Sequence, residues 1–190
     1  MTDTPTDWSL VEQIKAGADR AFDVLMERYK RPILSFVCRM IGDAVEAEDV
    51  AQDVFVRVYR GMQKAEFHRT TGEFSTWLFQ VARNAALDCL RRRKRHPVES
   101  LSVVDNDGES VASAGRTAHE EAATREIGEQ IAAAVACLPE DQRAVLILVE
   151  YEDLSHKEIA DVMHCSIKSV EGRLCRAKQT LRNVLVGLLP

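Results

Sequence analysis

Residues 154–182 constrain the fold most strongly, because they carry the pattern of a helix, a tight turn and a second helix. Ser155 lies three residues before Glu158, which predicts a capping box at the start of the first helix. Apolar residues then recur at helical spacing on both sides of the turn. The predicted inner face consists of Ile159, Ala160, Met163, Ile167, Val170 and Leu174. This is the pattern of a helix-turn-helix, which places its second helix in the DNA major groove.

The outer face of the second helix is polar and mostly basic, as contacts to DNA require. The candidate DNA-binding residues are Ser166, Lys168, Ser169, Glu171, Arg173, Arg176 and Lys178. The alternative for this motif alone is a surface helical hairpin whose charges are simply solvated.

Composition predicts an all-α protein in which hydrophobic residues make up 46% of the chain, with only 9 Gly and 5 Pro. No stretch has the apolar length of a membrane span, and residues 1–10 lack the apolar segment of a secretory signal. We therefore expect a cytoplasmic protein with no membrane insertion. The net charge of −5 does not exclude nucleic acid, because residues 91–95 form a local basic run.

The five cysteines, Cys38, Cys89, Cys137, Cys165 and Cys175, form no C-x-x-C pair. We expect them to be reduced and mostly buried. A metal site built from His164, Cys165 and Cys175 matches none of the usual zinc spacings. The sequence predicts no catalytic residue, no metal and no cofactor.

Two small helical domains are predicted, residues 1–95 and 124–190, joined by a flexible acidic linker at 96–123. His96-Pro97 ends the last helix of the first domain, because the residue before proline avoids helical geometry. The linker lacks helical periodicity and is rich in Asp and Glu, which favours disorder.

Helix boundaries in the first domain follow local signals. Ser9 and Glu12 suggest a capping box, and Pro32 is expected to interrupt the second helical run. Asp43 is expected to begin the third helix, and Ser75 or Thr76 to cap the fourth.

The outer face of the helix predicted at 44–61 carries acids and an amide, Glu48, Asp49, Gln52 and Asp53. Acids near a helix start often only complement the helix dipole. This cluster extends past the first turn, however, and so predicts a docking patch for a basic partner.

The loop 63–74 and helix 75–95 form a second candidate surface. A polar stripe of Asn84, Asp88, Arg91 and Arg95, flanked by Arg83 and Arg92, offers groups that bind bases and phosphates. The loop offers aromatic and polar groups suited to an unstacked base, namely Phe67, His68, Arg69, Thr71 and Phe74. Core packing is the alternative for Phe74 and is favoured for Trp77, and a solvated helix end is the alternative for the basic run.

Three ordered segments, residues 46–59, 74–95 and 138–182, resemble bacterial sigma factors of the extracytoplasmic-function class in the sigma-70 family. The resemblance implies that Glu48, Asp49, Gln52, Asp53 and Arg57 bind the beta-prime clamp of core RNA polymerase. It implies minus-ten recognition by loop 63–74 and helix 75–95, and minus-thirty-five recognition near the beta flap by the C-terminal domain. An anti-sigma factor is a further expected partner.

This sequence departs from the family pattern at three positions. His164 occupies the turn where glycine or another residue that tolerates positive φ is common. Glu171 stands where a basic residue is common, and Gly172 where serine is frequent. Glu accepts a hydrogen bond from cytosine but cannot bind phosphate, so the minus-thirty-five preference is expected to differ.

Two other function classes compete with this interpretation. A stand-alone DNA-binding regulator explains the helix-turn-helix but not the docking patch, the loop or the linker. A nucleic-acid-modifying enzyme using Cys and His has no supporting spacing, metal motif or phosphate loop.

Overall fold

A computed structural model describes residues 5–64, 72–95 and 118–186. Within these ranges all regular structure is helical, as the composition predicted. The helices are α1 (Asp7–Lys15), α2 (Arg20–Ile41), α3 (Ala44–Met62), α4 (Phe74–Arg95), α5 (Ala118–Ala136), α6 (Glu140–Glu150), α7 (His156–Met163) and α8 (Ile167–Val186).

Helices α2 and α3 meet at a sharp corner made by two adjacent residues. Gly42 ends α2 with φ of 75°, a left-handed conformation that glycine adopts without steric cost. Asp43 then caps α3, its carboxylate accepting a hydrogen bond from the Glu46 amide at 3.0 Å. The predicted start of α3 is therefore confirmed.

Three boundary predictions in the first half are wrong. Thr6, not Ser9, caps α1, and Thr6 accepts a hydrogen bond from the Ser9 amide. Pro32 lies inside a continuous α2, because Ile33 and the residues that follow it extend the same buried face. Helix α4 begins at Phe74, which places Ser75 and Thr76 within its first turn.

Four aromatic side chains pack where α1, α2 and α4 converge. Phe74 is 1% exposed. The centroid of its ring lies about 6 Å from the ring centroids of Trp8, Tyr29 and Trp77. The Trp8 indole also donates a hydrogen bond to the Gly72 carbonyl at 3.3 Å. This cluster fixes the start of α4 against α1 and α2.

Helices α7 and α8 form the helix-turn-helix. Ser155 and Glu158 make the predicted capping box, and His164 ends α7 in the left-handed region with φ of 49°. Ile159, Ala160, Met163 and Val170 are buried as predicted, whereas Ile167 is 45% exposed. The prediction for Ile167 is wrong because this residue is the first of α8 and precedes the packed turn.

Helices α1 to α4 form one half of the molecule and helices α5 to α8 form the other. The two halves pack against each other, and one continuous cluster of buried apolar side chains includes residues of both. Helix α6 lies against α2, and α7 lies against α4. The buried Arg143 of α6 donates hydrogen bonds to the carbonyls of Met40 on α2, at 2.5 Å, and of Leu138, at 3.0 Å.

Residues 96–117 of the predicted linker lie outside the described residues. Helix α5 begins at Ala118, and its first turns fall within the range 96–123 that was predicted as linker. None of the helices within the described ranges is long and apolar enough to cross a membrane.

Candidate nucleic-acid and protein interface

The exposed face of α3 carries the predicted docking patch. Glu48, Asp49, Gln52, Asp53 and Arg57 are all exposed. The opposite face buries apolar residues, of which Val54 is an example, so the amphipathic pattern alone orients the patch. The patch is therefore held on a rigid helix and is open to a partner.

An apolar groove adjoins this patch, and sequence reasoning did not find it. The groove has a volume of about 490 Å³, and its polar lining consists of Lys30, Glu48, Gln52 and Arg60. Its apolar lining is Phe22, Met26, Leu34, Ala51, Phe55, Val56 and Tyr59. The signal in the sequence was weak, because among the residues that line the groove only Leu34 and Val56 are exposed large hydrophobic residues.

Two aromatic rings hold one wall of the groove. Phe22 and Tyr59 pack edge to face with ring centroids 4.9 Å apart. The Tyr59 hydroxyl donates a hydrogen bond to Asp19 at 3.2 Å. This wall is consequently pre-formed across α2 and α3, which lowers the ordering cost of binding.

The polar stripe on α4 is exposed as predicted for Asn84, Asp88, Arg91, Arg92 and Arg95. Asp88 pairs with Arg91 at 3.1 Å and lies 3.9 Å from Arg57 of α3. These ion pairs are exposed and weak, so a nucleic acid can compete for the arginines.

Part of the basic run at the end of α4 is structural. Arg93 pairs with Glu46 and donates to the Ile41 carbonyl at 3.2 Å, and Arg92 lies 3.6 Å from Glu46. Partial burial raises the pKa of Glu46, but hydrogen bonds from Cys89 and Arg93 outweigh this and lower it. The solvated helix end, which was the alternative for the basic run, therefore does not describe Arg93.

The predicted base-capturing loop is only partly described. Phe67, His68, Arg69 and Thr71 lie outside the described residues. Phe74 is a core residue in the aromatic cluster, with no surface available to a base. Core packing, the alternative left open for Phe74, is what the structure shows, and Trp77 also packs against the core.

The outer face of α8 presents most of the predicted DNA-contacting residues. Lys168, Glu171, Arg176 and Lys178 are exposed, and Ser169 is half-buried. Ser166 accepts a hydrogen bond from the Ser169 amide at 3.2 Å, so it also caps α8. Glu171 lies 3.9 Å from His156, and Lys178 pairs with Glu150 at 2.8 Å.

Arg83 and Arg173 differ from the other candidates, because both face the junction between the halves. Arg83 of α4 pairs with Asp141 of α6 at 2.7 Å, and its side chain is 14% exposed. Arg173 of α8 pairs with the other oxygen of the same carboxylate at 3.2 Å. A single acid thus joins one residue from each proposed DNA surface.

The cysteines are less buried than expected. Cys89 is buried, Cys38 and Cys165 are half-buried, and Cys137 and Cys175 are exposed, which corrects the expectation of burial for the last two. No group of His, Cys, Asp and Glu with metal-binding geometry occurs in the part of the chain that the structure describes.

Comparisons with known proteins agree with this architecture. The family Sigma-70 region 2 matches residues 25–96, and Sigma-70, region 4, matches residues 128–181. The chain is 36% identical to the RNA polymerase sigma-H factor of Pseudomonas aeruginosa, over 96% of this chain and 95% of that protein. It is 30% identical to the ECF RNA polymerase sigma-E factor of Haemophilus influenzae, over the full length of both.

Solved structures show the same fold. CnrH, in its complex with the cytosolic domain of CnrY, superposes with a TM-score of 0.69 at 27% identity. That match covers 96% of this chain and 99% of CnrH. The sigma factor RpoE of Bartonella quintana, in complex with the anti-sigma factor NepR, gives a TM-score of 0.66 at 20% identity. That match covers 86% of this chain and 96% of the RpoE chain.

These family matches define a non-enzymatic, DNA-binding transcription initiation factor. The chain belongs to the extracytoplasmic-function group of the sigma-70 family of RNA polymerase sigma factors. Membership implies RNA polymerase and promoter DNA as its partners.

Proposed function

We propose that this sigma factor uses three helix faces to bind three different targets. Glu48, Asp49, Gln52, Asp53 and Arg57 of α3 bind core polymerase at the beta-prime clamp. The exposed stripe of α4 binds the melted minus-ten element, and the outer face of α8 binds the minus-thirty-five duplex near the beta flap. The observation that carries the proposal is that these three exposed faces differ in chemistry and lie on separate rigid helices.

The α3 face suits a protein partner rather than DNA. Its exposed groups are mostly acids, which repel phosphate, and the adjoining groove offers apolar area of the kind found at protein interfaces. Acids beside an apolar groove fit a partner helix that is basic on one edge and apolar on the other. An anti-sigma factor is proposed to occupy the same groove, which would exclude polymerase.

The α4 face suits single-stranded DNA. Asn84 can make two hydrogen bonds to an adenine edge, and Arg91, Arg92 and Arg95 can hold the adjacent backbone. Phe74 is left out of this role because it is buried. The base-capturing role of Phe67, His68, Arg69 and Thr71 rests on the family resemblance.

The α8 face suits duplex DNA in the major groove. Lys168, Arg176 and Lys178 are exposed cations, and Ser166 and Ser169 lie at the helix N-terminus, where phosphates are favoured. Glu171 selects for cytosine, because a carboxylate accepts from its exocyclic amine. Arg173 becomes part of this DNA-binding surface when its ion pair with Asp141 is broken.

Run-off transcription with purified bacterial core polymerase and a library of promoter fragments tests the proposal. Initiation at defined sites that requires this protein is the expected result. Specific duplex binding without polymerase-dependent initiation would contradict it and favour a stand-alone regulator.

Separate substitutions test the proposed role of each of the three faces. D49R combined with D53R should abolish co-purification with core polymerase while leaving duplex binding by the free chain intact. R176A should weaken minus-thirty-five binding about tenfold, and N84A should weaken binding to single-stranded minus-ten DNA about tenfold. E126Q, an exposed change on α5, is the matched control.

A further inference from the structure

The carboxylate of Asp141 lies between the two proposed DNA surfaces and binds an arginine from each. Its Oδ1 atom is 2.7 Å from Arg83 on α4, and its Oδ2 atom is 3.2 Å from Arg173 on α8. The two guanidinium groups therefore bind opposite oxygens of one carboxylate. Arg173 also donates to the Cys165 sulfur at 3.4 Å, which holds its side chain back against the turn.

Further polar contacts between the halves surround this acid. Lys94 of α4 pairs with Glu140, the neighbour of Asp141, at 2.7 Å. Gln80 of α4 donates to the Asp161 carbonyl of α7 at 2.8 Å. The contacts all join α4, which carries the proposed minus-ten surface, to the half that carries the helix-turn-helix.

This closed arrangement conflicts geometrically with promoter recognition. The minus-ten and minus-thirty-five elements are named for positions about 25 base pairs apart, which is about 85 Å at about 3.4 Å per base pair. Arg83 and Arg173 cannot reach both elements while one carboxylate holds them together. The halves must separate before both surfaces are used.

We propose that Asp141 is an intramolecular latch: it holds Arg83 and Arg173 together in the free chain and competes with DNA phosphates for both. The latch rests on the proposed function, because it assumes that these arginines bind promoter DNA. Asp141 is 45% exposed, and partly exposed ion pairs are individually weak, so polymerase binding or DNA can displace it. The acid keeps the free factor from occupying promoter DNA before it joins polymerase.

The full-length D141N variant tests the latch in two measurements. Small-angle X-ray scattering should show a larger radius of gyration for the variant. Fluorescence anisotropy should show about fivefold tighter binding of the free chain to a minus-thirty-five duplex. E129Q makes the same charge change at an exposed position of α5, and it should change affinity less than about twofold, with no expansion.

Unchanged size and unchanged affinity relative to E129Q would overturn the latch. Asp141 lies in the first turn of α6, where an acid complements the helix dipole, so a loss of folding in D141N is a separate concern. D141S keeps a short polar side chain there, and the same two measurements on D141S decide the question if D141N does not fold.

R176A separates failure of the latch from failure of the proposed function. Arg176 belongs to the proposed α8 surface but does not contact Asp141 among the described ion pairs. If R176A loses duplex binding and D141N gains none, only the latch is wrong. If R176A binds the duplex normally, the proposed DNA surface is wrong, whatever D141N does.

Discussion

Glu152 lies between α6 and α7, and its surroundings change its acid strength. Burial raises the pKa of its carboxyl to about 7, Arg39 opposes the shift, and Asp153 adds to it. Arg39 itself stacks over the Tyr151 ring at 4.0 Å, so the first half of the chain covers this turn. A carboxyl that stays protonated in the folded chain makes stability depend on pH.

The direction of this pH dependence follows from the pKa of Glu152 in the folded and in the unfolded chain. Between the ordinary value of 4.5 and about 7, the unfolded chain ionises Glu152 while the folded chain keeps it protonated. Raising the pH through this window therefore favours the unfolded chain. We expect the free energy of unfolding of E152Q, relative to wild type, to increase from about pH 5 to about pH 8 in urea titrations. The exposed E126Q variant is the control substitution, and a constant difference for E152Q would contradict the prediction.

Cysteine reactivity should follow burial and hydrogen bonding. Burial and a hydrogen bond to Glu46 raise the pKa of Cys89 to about 11, and burial raises the pKa of Cys38. Because the thiolate is the reactive form, a thiol reagent at neutral pH should modify the exposed Cys137 and Cys175 first. Peptide mass mapping at short times checks this, and all 5 cysteines should react in denaturant. Equal rates for Cys89 and Cys175 in the folded chain would refute it.

At the scale of the helices, the turn between α7 and α8 depends on one unusual backbone conformation. His164 has φ of 49°, where a Cβ atom is crowded and a β-branched one more so. The next residue donates its amide to the Ala160 carbonyl at 3.0 Å, which closes the turn. The angle between α7 and α8 therefore relies on this residue keeping positive φ.

A matched pair of substitutions at this turn tests that dependence. H164G should preserve or slightly raise the free energy of unfolding, whereas H164V should lower it by about 1–2 kcal/mol. Urea denaturation followed by circular dichroism measures both. Equal stabilities for the two variants would show that the turn tolerates other geometries.

Local patterns predicted these helices because each depends on neighbours in sequence. The capping box at Ser155, the cap at Asp43 and the apolar face of α3 are all set within a few residues. Pro32 misled the prediction, because packing of the following turn outweighs the lost hydrogen bond. The apolar groove escaped notice because α2 and α3 contribute to it jointly.

Contacts between the halves had no sequence signal at all. Arg143 meets the Met40 carbonyl, and Asp141 meets Arg83, across long stretches of chain. A charged residue in an amphipathic helix is ordinarily assigned to solvent, yet Arg143 is 8% exposed. Burial lowers the pKa of Arg143, and carbonyl acceptors compensate for the lost hydration.

At the scale of the whole molecule, Arg143 should couple the stabilities of the halves. R143M removes the donor from three carbonyls, those of Met40, Ala136 and Leu138, and should lower the free energy of unfolding by about 3 kcal/mol. R143K should recover only part of the loss, because an ammonium lacks the planar fork of donors. Urea denaturation gives both values, and a wild-type midpoint for R143M would refute the prediction.

The aromatic cluster around Phe74 decides what intrinsic fluorescence can report. Both tryptophans of the chain, Trp8 and Trp77, belong to that cluster and so to the first half alone. Loss of structure in the helix-turn-helix would leave their emission largely unchanged, while circular dichroism follows all the helices. Comparing the two optical signals during unfolding therefore distinguishes a molecule that melts as one unit from one whose halves melt in turn.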